Sequence, residues 1–206
     1  MMVQKKYKIC KRLGANIFEK CDTQKFAIAK TRNTSRKQGG RKPRRNASDF
    51  AGQLNEKQKA RLMYGLRERQ FARYVAQAVS KKHVDSADGL FQNMERRLDN
   101  VCFRLGLAKT RAAARQLASH GHLCVNGKRV TIPSHTLGVG DTVSIRAGSR
   151  NKTVFSDLNE RLKEATIPSW LSLDYEKKEG KIVGMPHYVP SESLFDLNAV
   201  IEFYSR

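Results

Sequence analysis

Arg96–Leu117 reads RRLDNVCFRLGLAKTRAAARQL, and Leu123–Val130 follows as LCVNGKRV. In the first stretch and just past it, apolar side chains recur three and four residues apart: Leu98, Val101, Cys102 and Leu105, then Ala114, Leu117 and Ala118. That is the spacing of a buried helix face. Gly106 divides the stretch, Thr110 offers a hydroxyl cap to a second helix over Arg111–His120, and Gly121 ends it. In the second stretch, Asn126-Gly127 separates two short β-prone runs, and both residues tolerate the positive φ of a two-residue hairpin turn. Gly140-Asp141 then punctuates before Thr142–Ile145, a third strand. Two short helices followed by a hairpin, studded with Arg and Lys, form a compact unit suited to a structured polyanion.

Charge places that unit in context. The chain has 206 residues, 40 Lys and Arg, 19 Asp and Glu, and a formal net charge of +21. Such an excess speaks to partners, a nucleic acid or an anionic membrane, more than to fold. By segment the net charge is +12 over residues 1–50, +4 over 51–100, +7 over 101–150 and −2 over 151–206. The polyanion is therefore expected along the first three quarters of the chain. No run of 18 apolar residues is present and no apolar signal segment follows the basic N-terminus, so a membrane is not expected. Cys10, Cys21, Cys102 and Cys124 show no CxxC pair, which fits a reducing compartment and a soluble intracellular protein.

Residues 31–48, TRNTSRKQGGRKPRRNAS, hold seven basic and no acidic residues, with Gly39-Gly40 and Pro43 against any helix. The tract is irregular until neutralised, either a solvated basic linker or a nucleic-acid clamp. From Leu54 to Ser80 the pattern is helical. Phe71, Tyr74, Val75, Ala78 and Val79 share one face, while Lys57 with Arg61 and Arg69 with Arg73 form positive pairs four apart. Asp88 is the expected cap of a helix through Leu90, Phe91, Met94, Leu98, Val101, Cys102 and Leu105, ending at Gly106. Further on, Leu158–Ala165 is amphipathic, Leu171–Tyr175 alternates like a strand, and Ala199–Tyr204 reads as another strand.

Enzymatic motifs are missing: no phosphate-binding GK[ST] loop, GxGxxG, HExxH or GxSxG occurs. His120-x-His122-x-Cys124 spans a Gly-bearing turn without a fourth ligand, so polar or RNA-facing histidines are expected there, not a metal.

The run MERRLDNVCFRLGLAKTRAAARQLASHGHLCVNGKRV, from Met94 to Val130, resembles the RNA-binding module named after the fourth protein of the small ribosomal subunit. GGRKPRRNASDF, LNEKQKARLMYGLRERQF, PSWLSLD and the terminal VIEFYSR resemble the bacterial form of that ribosomal protein family, so the likeness runs from about Lys8 to Arg206. It implies an α+β fold with a basic irregular N-terminal region (1–50) and a helical domain (51–95, part of 151–206 packing nearby). A two-helix and antiparallel-sheet RNA-binding module of αL type (96–150) is inserted, and a C-terminal segment (151–206) faces a neighbouring ribosomal protein.

The implied function is a structural, non-enzymatic component of the cytoplasmic small subunit. It binds a helix junction in the 5′ domain of small-subunit rRNA, nucleates assembly, and influences accuracy with the fifth small-subunit protein near the mRNA entry path. No membrane, small-molecule substrate or cofactor is implied.

Arg41, Lys42, Arg44 and Arg45 match the family's basic loop near the mRNA entrance. Lys57, Arg61, Arg69, Arg73, Arg97, Arg104, Lys109, Thr110, Arg111, Arg115, His120, His122, Asn126, Lys128 and Arg129 complete the expected RNA-binding set. Phosphate is the natural target of the arginine forks and of the N–H groups opening the helix at Thr110–Arg111.

Two rivals share the module. One is a pseudouridine synthase, whose RLD tripeptide Arg97-Leu98-Asp99 superficially resembles; here Asp99 is expected to pair with a neighbouring Arg, and little chain follows position 150 for a catalytic domain. The other is a free-standing stress or regulatory factor, a shorter kind of protein without the flanking motifs. Several bacterial family members hold zinc with four N-terminal cysteines, but only Cys10 and Cys21 stand in that region here. Elemental analysis of the purified protein is therefore expected to find no zinc, and one zinc per chain would reverse that reading.

Overall fold

The structure, a computed structural model, describes residues 6–18, 21, 23, 24, 26–28, 48–81 and 85–206. In chain order its helices are α1 (Lys6–Leu13), α2 (Asp49–Met63), α3 (Glu68–Val79), α4 (Ser86–Glu95), α5 (Leu98–Arg104), α6 (Arg111–Ser119), α7 (Leu158–Glu164) and α8 (Leu197–Tyr204). The strands are β1 (Leu123–Val125), β2 (Lys128–Val130), β3 (Thr142–Ile145), β4 (Leu171–Asp174) and β5 (Glu179–Ile182). The fold is α+β. It divides into one unit made of Met1–Val75 with Val189–Arg206 and a second, Ala76–Tyr188, inserted between those segments. Residues 151–206 are thus shared between the two. No described helix is long and apolar enough to cross a membrane.

In the first unit, Cys10, Leu13, Ile17, Cys21, Phe26 and Leu62 bury one another, so part of the basic N-terminal region is regular and packed. The helical stretch after Leu54 breaks at Tyr64–Arg67, where Leu66 N–H reaches back to Arg61 C=O at 2.9 Å. Phe71, Tyr74, Val75 and Ala78 are buried as their spacing predicts, but Val79, the last residue of α3, is 49% exposed. The reading of Ala199–Tyr204 as a strand is corrected, because these residues belong to α8. Asp196 caps that helix by accepting from Asn198 N–H at 2.8 Å. Leu197 and Val200 are buried, and Phe203 lies 5.5 Å from the Phe50 ring on α2. Burial against a neighbour outweighs the weak β preference of Val, Ile, Phe and Tyr.

The second unit is a five-stranded antiparallel sheet in the order β2-β1-β3-β5-β4, covered by helices. Its hairpin turn is as expected, with φ of 49° at Asn126 and 75° at Gly127. Thr110 accepts from Ala113 N–H at 3.1 Å and opens α6. Leu98, Val101, Leu105, Ala114, Leu117, Leu123, Val143, Ile145, Leu162 and Ile182 form one continuous core.

Two expectations change here. The helix-start residue is Asp85, with Asp88 inside the first turn of α4. The single helix drawn from there to Gly106 is two helices, broken at Arg96–Arg97. The break has a tertiary cause: Leu98 and Asp99 N–H groups donate to the carbonyls of His135 (2.9 Å) and Pro133 (3.1 Å). Those carbonyls satisfy a new helix start from a loop far along the chain.

Gly180 on β5, opposite Leu173 and Val143, fixes how closely α5 approaches the sheet. A Cβ there would run into the fully buried side chain of Leu105. Gly180→Ala is expected to lower stability by about 1–3 kcal/mol through overpacking. Leu105→Val in the same background should recover part of the loss. Chemical denaturation showing no cost for the single change would contradict this packing.

Candidate nucleic-acid interface

Between residues 91 and 120 the chain has six Lys or Arg and only two carboxylates, Glu95 and Asp99. Both carboxylates are buried. Asp99 receives a fork from Arg97, Nε to Oδ1 at 2.9 Å and Nη2 to Oδ2 at 2.7 Å. Arg115 reaches the same carboxylate from α6, Nε to Oδ2 at 2.9 Å. Glu95 receives Arg104 in a second fork, at 3.0 and 2.6 Å, and the Asn100 amide at 2.7 Å. Asn100 Oδ1 in turn accepts from Arg111 Nε at 2.8 Å, and the Arg111 guanidinium lies 4.4 Å from the Phe103 ring centre. Such charge-assisted forks are strong and directional. A buried charge is tolerated only when paired in this way.

The network sorts the arginines of the expected set. Arg97 and Arg111 are buried and serve the fold, so outward-facing phosphate donation from them is corrected to an internal role. The Arg104 and Arg115 side chains remain 31% and 34% exposed while bound to these carboxylates. Asp99 pairs with neighbouring arginines, as the sequence leads one to expect. Cys102, buried beside it, has its thiol pushed up to about 12 by desolvation and by the Asp99 charge, which leaves it unreactive.

Around these lie the remaining module residues. Lys109 is exposed and pairs with Asp157 at 2.7 Å. His120, Lys128 and Arg129 are exposed, while His122 is half-buried and shares a hydrogen bond with Ser149 Oγ at 2.9 Å. The Asn126 side chain faces its own fold: Nδ2 donates to Asp141 at 2.8 Å, and Oδ1 accepts from Thr142 N–H at 2.9 Å.

The first unit holds the others separately. Lys57 and Arg61 converge on Glu68, at 2.8 and 3.2 Å, and Lys57 also lies 4.6 Å from the Phe203 ring centre. This corrects the expected positive stripe at that pair. Burial raises the Glu68 carboxyl, but hydrogen bonds from Lys57 and Tyr204 outweigh it and hold the group below the usual range. Arg69 and Arg73 are exposed. Arg41, Lys42, Arg44 and Arg45 lie outside the described residues.

Sequence reading missed two groups. Glu95 and Asn100 orient Arg104 and Arg111, and the available signal was a lone pair of carboxylates in so basic a run. Arg146, Arg150 and Lys152 are exposed cations on the segment after β3, and Arg146 and Lys152 come close to His122 from far along the chain; nothing local marks them.

A two-helix and antiparallel-sheet module with partly exposed arginines held by buried carboxylates is the arrangement of the S4-domain class. Residues 96–143 match the S4 domain family model, and residues 2–95 match the model described as ribosomal protein S4/S9 N-terminal domain. The small ribosomal subunit protein uS4A of Alkaliphilus metalliredigens is 41% identical over 202 residues, covering 97% of this chain and 96% of that protein. The small ribosomal subunit protein uS4 of Herpetosiphon aurantiacus is 48% identical over 165 residues, covering 79% and 78%. That of Symbiobacterium thermophilum, a uS4A, is 41% identical over 202 residues, covering 97% and 96%. The chain belongs to the small ribosomal subunit protein uS4 family.

Asp99→Ala should cost about 3–5 kcal/mol in urea unfolding, because it strands the buried Arg97 charge. Arg115→Ala, which leaves Asp99 paired to Arg97, should cost about 1 kcal/mol or less. Equal losses from the two variants would refute this division of roles.

Proposed function

We propose that this protein is a non-enzymatic component of the small ribosomal subunit, at work in the cytoplasm, that binds small-subunit rRNA by shape and phosphate. The observation that carries the reading is the placement of Arg104 and Arg115, each fixed by a buried carboxylate with about a third of its side chain exposed. Double-helical RNA hides its base edges in a deep, narrow major groove, so phosphates and 2′-hydroxyls are the accessible features. Side chains pinned in advance lose little freedom on meeting such a target. Lys109, His120, His122, Lys128 and Arg129 extend the interface in the module, and Arg69 and Arg73 supply cations from the helical unit. The N–H groups at the start of α6 add an anion-binding device.

Family membership supports the finer reading: a helix junction in the 5′ domain as the primary target, and a role in nucleating assembly. The fifth small-subunit protein is the proposed neighbour of the C-terminal segment, with an effect on accuracy, and Arg41, Lys42, Arg44 and Arg45 are proposed to meet mRNA near its entry. The locked state of Asp99, 2% exposed between two arginines, speaks against the synthase rival, since a nucleophile must reach its target.

Neutralising about 6–10 phosphates would make affinity for a 5′-domain rRNA fragment fall by roughly 10³–10⁵ between about 50 and 200 mM salt. In filter binding, Arg115→Glu is expected to weaken the complex sharply while Glu176→Gln leaves it unchanged. Affinity nearly independent of salt, or equal effects of the two variants, would remove the basis for this function.

A further inference from the structure

Gly121 ends α6 with φ of 70°, and its N–H donates to Ala118 C=O at 2.8 Å. A Cβ at this position would collide with the Arg129 guanidinium, so the arginine lies directly over the glycine backbone. The next residue is His122. Its ring lies 6.0 Å from that of His120, bonds Ser149 Oγ at 2.9 Å and meets the Phe155 ring edge-on at 6.3 Å. Its carbonyl accepts from Arg146 N–H at 2.9 Å, which puts the end of β3 alongside. Ser149 is buried, and Lys152 follows on the same turn. His120 from the end of α6, Arg129 from β2, and Arg146 and Lys152 from the segment after β3 therefore surround one imidazole.

No ion pair among the described residues neutralises Arg129, Arg146 or Lys152. The contrast with Arg97, Arg104 and Arg115, each held by a buried carboxylate, is chemical: here like charges repel until an anion arrives. We propose that the α6–β1 turn, with Arg129, Arg146 and Lys152, is a phosphate-binding site in which His122 takes up a proton as an RNA strand docks. The inference rests on the RNA-binding reading above and adds Arg146 and Lys152 to its interface.

The sign of the pH effect follows from the surroundings. Burial, and after it the charges of Lys152, His120, Arg129 and Arg146, hold the His122 ring below its ordinary pKa of 6.5. A phosphate offsets those charges and raises the ring's pKa in the complex. Affinity then increases as pH falls through the bound-state pKa towards the free-state one, by about tenfold for each unit of rise.

The test is the affinity of the full chain for a 5′-domain rRNA fragment between about pH 8 and pH 6, at constant salt, with the His122 ring followed by NMR in both states. Wild type should tighten about tenfold towards acid, and so should a variant of the exposed His187 beside Asp88, His187→Asn; His122→Asn should lose most of that gain. The His122 ring pKa should rise on binding RNA and rise less with inorganic phosphate alone. Arg146→Gln with Lys152→Gln should weaken RNA binding and raise the ring pKa of the unbound protein. A full pH response in His122→Asn, an unshifted His122 ring, or an equal rise with inorganic phosphate would overturn the inference. Tight, pH-independent binding would overturn it alone, whereas no RNA binding at any pH would defeat the RNA-binding reading itself.

Discussion

The module depends on two carboxylates that never reach solvent. Glu95 and Asp99 sit under a surface carrying many cations, and each takes the fork of at least one arginine. A buried ion pair adds little net stability compared with an apolar pair of the same size. Its worth here is orientation: an arginine on a flexible stem becomes a donor with a fixed direction. The same two residues also span the break between α4 and α5, so helix geometry and guanidinium geometry are set by one network.

Much of the module was legible because its signals are local. The hairpin is written in Asn126-Gly127, the α6 start in Thr110, and the core in apolar residues at helical spacing. Failures came where a distant partner decides. The break before Leu98 depends on carbonyls of His135 and Pro133, and α8 depends on α2. Neither leaves a trace in the neighbouring sequence.

The site divides the same way. Reading cations as ligand-facing could not tell a buried guanidinium from an exposed one. Arg97 and Arg111 turn inward because Asp99 and Asn100 are reachable, while Arg104 and Arg115 straddle the boundary. Lys57 and Arg61 looked unpartnered until the chain turned at Gly65 and brought Glu68 back to them. Charge counts along a sequence describe supply; the fold decides what is spare.

The sheet carries a consequence for how this protein is cut. Strand β3 pairs with β1 on one side and with β5, drawn from residues 179–182, on the other. A fragment stopping at Arg150 would keep both module helices and the hairpin but lose β5, leaving the row of N–H and C=O groups along β3 open. An uncovered edge of that kind invites pairing with another chain. The self-contained RNA-binding piece is therefore longer than its motif: it needs the β4–β5 hairpin as a cover strip that keeps one copy from zipping onto the next.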